Sequence, residues 1–176
     1  MMKEQTLHLG SQSRGFQLAP TLMILLASAL LPFLIHLIPF GTGTPVGPAF
    51  LPIFYLPFIA LVFFKRHVAL IAAALAPFIN FLLTGSPQWE FVTLLSVELV
   101  AFVLIASHLL KNRSLKWVAA PIGYLLAKLI SCLILLVLPL LPAIAPLDFT
   151  LQALTMAVPG ILILTVINLI VLKYKK

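Results

Sequence analysis

The sequence predicts an all-α membrane protein: a six-transmembrane-helix bundle with kinked helices and both termini in the cytoplasm. Three observations lead there. Of the 176 residues, 62% are hydrophobic and only 9% are charged, against about 25% charged in an average soluble domain. A chain this apolar cannot present its surface to water. The apolar residues gather in six continuous stretches, not in the short segments of alternating polarity from which membrane barrels are built. Finally, the basic residues occupy every second connection between those stretches, the pattern of a topology signal.

The six stretches cover 18–38, 49–64, 68–84, 91–110, 117–141 and 151–172. A helix needs about 17–25 residues to cross the hydrocarbon core, so the second and third are at or below the short end. Proline falls inside five of them, as Pro32, Pro57, Pro77, Pro121 and Pro159. Bundles tolerate this because neighbouring helices satisfy the freed carbonyls, and kinks are the expected result. Residues 1–17 are polar and read as a cytoplasmic N-terminal tail, leaving 18–176 as one transmembrane domain. Ala27-Ser28-Ala29 superficially matches a signal-peptidase site, but the apolar run continues past it, so an uncleaved first helix is expected.

Lys3 and Arg14 precede the first stretch, and Lys65 and Arg66 separate the second from the third. Lys111, Arg113 and Lys116 separate the fourth from the fifth, and Lys173, Lys175 and Lys176 follow the last. The other three connections contain no Lys or Arg. Six crossings put every basic segment on one side, which the positive-inside rule makes the cytoplasm. The net charge of +7 is thereby explained by topology, without nucleic acid as a partner. Trp89 and Trp117, at stretch ends, read as interfacial anchors, and His67 and His108 lie near the cytoplasmic boundary.

The polar residues inside the apolar stretches carry the functional information. Glu98 lies twelve residues from Leu110, Lys128 eleven from Trp117 and Asn80 twelve from Val68; at about 1.5 Å per residue all three sit roughly 17–18 Å deep. A charge near mid-bilayer costs about 2.5–3.5 kcal/mol on insertion scales, so it is expected to face the protein interior and a partner. Tyr124, Lys128, Ser131 and Cys132 follow i, i+4, i+7, i+8, one face of a helix. Ala69, Ala73, Ala76, Pro77, Asn80 and Thr84 form a small-to-polar stripe on the third stretch, and small residues permit close helix approach. A polar pocket between the third, fourth and fifth stretches is expected, with Glu98, Lys128, Asn80, Thr84 and Tyr124 as substrate-binding candidates. His36, near the outer end of the first stretch, could line the same cavity, although an interfacial position is the commoner reading. A purely structural Glu98–Lys128 pair and a role at a partner subunit both remain open. Asn168 reads as a helix-packing residue.

No enzymatic constellation is present: the sequence lacks GxSxG, HExxH and a P-loop. The single cysteine, Cys132, can form no internal disulfide, and no metal or cofactor motif appears. Without a nucleotide site the chain cannot itself couple ATP to transport.

The stretch "LPIFYLPFIALVFFKRHVALIAAALAPFINFLLTGSP" combines a short helix, a basic turn, an alanine-rich helix and a Leu-Leu-Thr-Gly-x-Pro loop. "SVELVAFVLIASHLL" follows, and "VPGILILTVINLIVLKYKK" ends the chain. This order resembles the substrate-binding S components of energy-coupling factor (ECF) transporters of the vitamin type, whose fourth-helix glutamate matches Glu98. The resemblance covers most of the chain. It implies capture of a vitamin or related small water-soluble metabolite from outside, and association with a transmembrane coupling subunit and an ATPase pair. The alanine–x–x–x–alanine pair common on that family's first helix is absent between residues 18 and 38; Ala69/Ala73 and Ala72/Ala76 carry the spacing on the third stretch instead. A non-transport scaffold, like the similarly sized cell-shape protein MreD, is the alternative.

Overall fold

The computed structural model describes residues 18–36, 46–85, 88–138 and 145–175. The expected tail 1–17, most of the first loop, Ser86, Pro87, Lys176 and the side chain of His36 lie outside the described residues. Every described element is helical. In chain order they are α1 (Leu18–His36), α2 (Val46–Phe50), α3 (Pro52–Phe63), α4 (Arg66–Thr84), α5 (Trp89–Leu109), a 3-10 turn (Leu115–Val118), α6 (Ala119–Val137), α7 (Pro146–Met156) and α8 (Val158–Tyr174).

Four helical segments are long and apolar enough to cross a membrane: Leu18–Ile35, Arg66–Thr84, Trp89–Leu109 and Leu115–Val137. Helices α7 and α8 qualify only as a pair, bent by 59° at their junction. The expected second span is the shorter apolar element Gly47–Phe63. These lengths and compositions are those of a multi-pass membrane protein.

The prolines explain several boundaries. Pro32, Pro57 and Pro77 lie inside α1, α3 and α4, as expected. Pro121 falls instead in the first turn of α6, and Pro159 at the start of α8. At those positions the missing N–H leaves no helical hydrogen bond unmade, so they start helices rather than bend them. The break in the last stretch is thus at Ala157, just before Pro159.

The break between α2 and α3 has the same origin. Pro52 disfavours helical geometry at the residue before it, and Leu51 adopts the left-handed conformation with φ 52°. For a leucine this costs roughly 1–2 kcal/mol, so surrounding contacts must hold the elbow. The Tyr55 hydroxyl donates to the Phe50 carbonyl across it, and α8 packs against both α2 and α3.

Helix α3 is the hub of the bundle, touching α1, α4, α5 and α8. Phe54 packs edge-on against Phe102 of α5 at 5.2 Å and Tyr124 of α6 at 5.1 Å between ring centroids. The alanines Ala69, Ala72, Ala73 and Ala76 of α4 are fully buried, where α4 meets α1, α3 and α5. That small-residue surface therefore serves packing within the bundle.

Asn168 behaves as expected of a packing residue and does so in detail. It is fully buried on α8; its Oδ1 accepts from Ala120 N at 3.1 Å, and its Nδ2 donates to the carbonyls of Lys116 at 3.1 Å and Trp117 at 2.7 Å. One side chain thus satisfies the backbone where the 3-10 turn passes into α6. Asn168→Leu leaves these groups unpaired, at about 1–3 kcal/mol per buried unsatisfied group. A clearly lower unfolding midpoint for the variant in detergent is the expected result; an unchanged midpoint would show that water replaces the amide.

Candidate functional site

Helices α5 and α6 approach closely because Gly123 faces Phe102 and Ala106. A Cβ at residue 123 would lie 3.3 Å from the Phe102 ring and 3.4 Å from Ala106 Cβ. The buried face of α5 includes Leu94, Glu98, Phe102 and Ala106, and that of α6 includes Tyr124, Lys128, Ser131 and Cys132. Both faces repeat at helical spacing, which brings the acid of one helix opposite the base of the other.

Lys128 Nζ lies 2.8 Å from Glu98 Oε2. Ser131, three residues on along the same face, donates its hydroxyl to the same oxygen at 3.2 Å. Glu98 is only 2% exposed and Lys128 9%. The other carboxylate oxygen, Oε1, is buried and has no hydrogen-bond partner among the described residues. The carboxylate is therefore satisfied on one side only. Removing two charges from water costs several kcal/mol per ion, and that cost is offset only when lone pairs and protons find partners. An unfilled acceptor on such a pair is an exception to the usual satisfaction of buried polar groups.

Aromatic faces enclose the ammonium. Lys128 Nζ lies 5.9 Å from the Tyr124 ring centroid and 5.7 Å from that of Phe149, both within the range of cation–π attraction. Phe149 comes from α7 and also packs against Phe91 of α5 at 5.8 Å. Helix α7 is half-buried to exposed apart from the buried Thr150, and it joins α8 at the 59° bend. A half-helix thus places one aromatic ring over the pair.

Three of the six candidates, Glu98, Lys128 and Tyr124, come together. Asn80 does not join them: its Nδ2 donates to the carbonyl of Ala29 on α1 at 2.9 Å. Thr84 returns its hydroxyl to the Asn80 carbonyl at 2.8 Å and is exposed. The two share a helix face with the buried alanines, but that part of the face meets α1. Ser96 links α4 to α5 instead, its hydroxyl donating to the Ala74 carbonyl at 2.8 Å. The side chain of His36 lies outside the described residues. Two contributors were not among the candidates. Ser131 was legible as part of the Lys128 face; Phe149 carries no signal in the sequence, because its role depends on how α7 folds back.

No protein-family model, curated protein or solved structure matches the chain.

Proposed function

We propose that the chain is a membrane-embedded solute-binding subunit of the kind represented by ECF-transporter S components. In this reading it crosses the membrane six times, with α2–α3 as the second crossing and α7–α8 as a broken sixth. Both termini lie in the cytoplasm of a bacterial inner membrane. The exposed basic residues Lys65, Arg66, Lys111, Arg113, Lys173 and Lys175 then share the cytoplasmic face. A vitamin-like metabolite is captured from outside, and a transmembrane coupling subunit with two ATPases supplies the energy that this chain has no motif to supply.

The observation that carries the reading is Glu98 Oε1: a carboxylate oxygen held at the bundle interior, fixed by Lys128 and Ser131 through its twin, and itself without a hydrogen-bond partner among the described residues. A charge-assisted hydrogen bond to such an oxygen, shielded from water, is among the stronger single contacts a polar solute can make. Tyr124 and Phe149 supply the aromatic wall typical of small-molecule sites.

Native mass spectrometry of the detergent-purified protein should show a bound molecule of vitamin size. Glu98→Gln should weaken its retention by about tenfold or more, the worth of one charge-assisted bond. A spectrum showing only apo protein, together with unaltered oligomeric partners, would instead favour the scaffold reading. That alternative draws on the self-neutralising geometry of the 2.8 Å pair.

A further inference from the structure

We infer that the solute meets Glu98 Oε1 with a hydrogen-bond donor (a protonated amine, an amide N–H or a hydroxyl) and that Lys128 is not an anchor for an anionic group. This rests on the solute-binding reading above and narrows the class of solute.

A buried lysine beside a binding site would ordinarily suggest a carboxylate or phosphate ligand. Here the ammonium is already engaged. It donates to Glu98 Oε2 at 2.8 Å, and two of its flanks are covered by the rings of Tyr124 and Phe149 at 5.9 and 5.7 Å. Aromatic faces are electron-rich and attract a cation, but they repel an acceptor that approaches past them. The glutamate is in the opposite condition. An ionised carboxylate accepts through two oxygens and about four lone-pair sites. Oε2 receives both Lys128 and Ser131, while Oε1 receives nothing from the described residues.

Two serines on these helices are already engaged. Ser96, on the same helix, donates to Ala74 O. Ser131 is directed at Oε2. The site therefore offers an acceptor and asks for a donor. An acceptor-only anion placed there would face lone pairs with no proton between, and in a low-dielectric interior that repulsion is strong. Because Lys128 already neutralises Glu98, the incoming donor need not be charged, so amides and alcohols qualify alongside amines.

The test uses three water-soluble probes of one size: benzylamine (charged donor), benzamide (neutral donor) and benzoate (acceptor only). Binding to the full-length protein in lipid nanodiscs is followed by saturation-transfer NMR at millimolar probe concentration. Benzylamine and benzamide should each bind about tenfold or more tightly than benzoate, the factor expected of one good hydrogen bond. Because Glu98→Gln alone asks the fold to bury an unpaired ammonium, the companion variant is Glu98→Met/Lys128→Met. It removes both charges together, and its melting curve confirms folding. In this variant the preference of benzylamine over benzoate should disappear. Benzoate binding to the wild-type protein as well as the donors do overturns the donor inference while leaving the solute-binding reading standing. A donor preference that survives in the double variant removes Glu98 as its source. Absence of binding by all three probes, with no small molecule in the native mass spectrum, overturns the solute-binding reading and this inference with it.

Discussion

Replacing Lys128 with methionine is expected to destabilise the protein by about 3–5 kcal/mol, the usual cost of stranding one member of a buried ion pair. Glu98 is 2% exposed and would retain only the 3.2 Å bond from Ser131. The carboxylate is then a buried charge without its counter-ion, and that opposes folding. The measurement is the unfolding midpoint in detergent, with membrane yield as a second readout. The paired substitution Glu98→Gln/Lys128→Met should recover most of the loss, since removing both charges together can be nearly neutral. If Lys128→Met alone melts with the wild type, the pair does not neutralise a buried charge, and the chemistry built on Glu98 fails with it.

Gly160→Ala is expected to disturb the fold and the site together. The added Cβ would lie 2.7 Å from Leu51 Cγ, 2.8 Å from the Phe50 carbonyl carbon and 2.9 Å from the Ala49 carbonyl oxygen. Two of these three are backbone atoms, which cannot rotate aside. They also belong to the elbow that holds Leu51 in its left-handed conformation. Overpacking of this kind costs about 1–3 kcal/mol, as side chains and backbone shift. The shift has a direction: α8 must back away from the α2–α3 elbow. Gly160 is three residues beyond Ala157, where α8 turns into α7, so the displacement reaches the half-helix that carries Phe149. The variant should therefore lower the melting temperature and also weaken solute retention, although residue 160 belongs to neither partner of the pair. Loss of stability with full retention would separate the elbow from the site.

The candidate site shows how far residue spacing could be read. Depth alone puts Glu98, Lys128 and Asn80 at one level, and of these Glu98 and Lys128 meet at 2.8 Å. The face Tyr124–Lys128–Ser131–Cys132 was legible because helical periodicity is a local property, and all four are buried on α6. Asn80 has a matching depth, yet it pairs with Ala29 of α1. Depth along a helix follows from counting residues; the direction a residue faces across the bundle depends on which neighbour packs there. The short second stretch shows the same division. Its short length and Pro57 mark it as irregular, but which helices surround it as the hub of the core, α1, α4, α5 and α8, is decided by packing.

What the sequence determined by itself is the helical class with apolar segments of membrane-spanning length, the approximate limits of the four long helices, and the positions along two of them that place an acid and a base at nearly the same distance from the helix ends. These follow from the apolar runs, the prolines and the fixed rise per residue, all short-range. Only the tertiary structure decided that Asn80 faces α1, that Phe149 lies over Lys128, and that one oxygen of Glu98 has no partner among the described residues. Each of these depends on contacts between segments far apart in the chain. In a bundle of uniformly apolar helices such contacts are selected by steric fit and by the pairing of a few polar atoms, neither of which is written in the hydrophobic pattern.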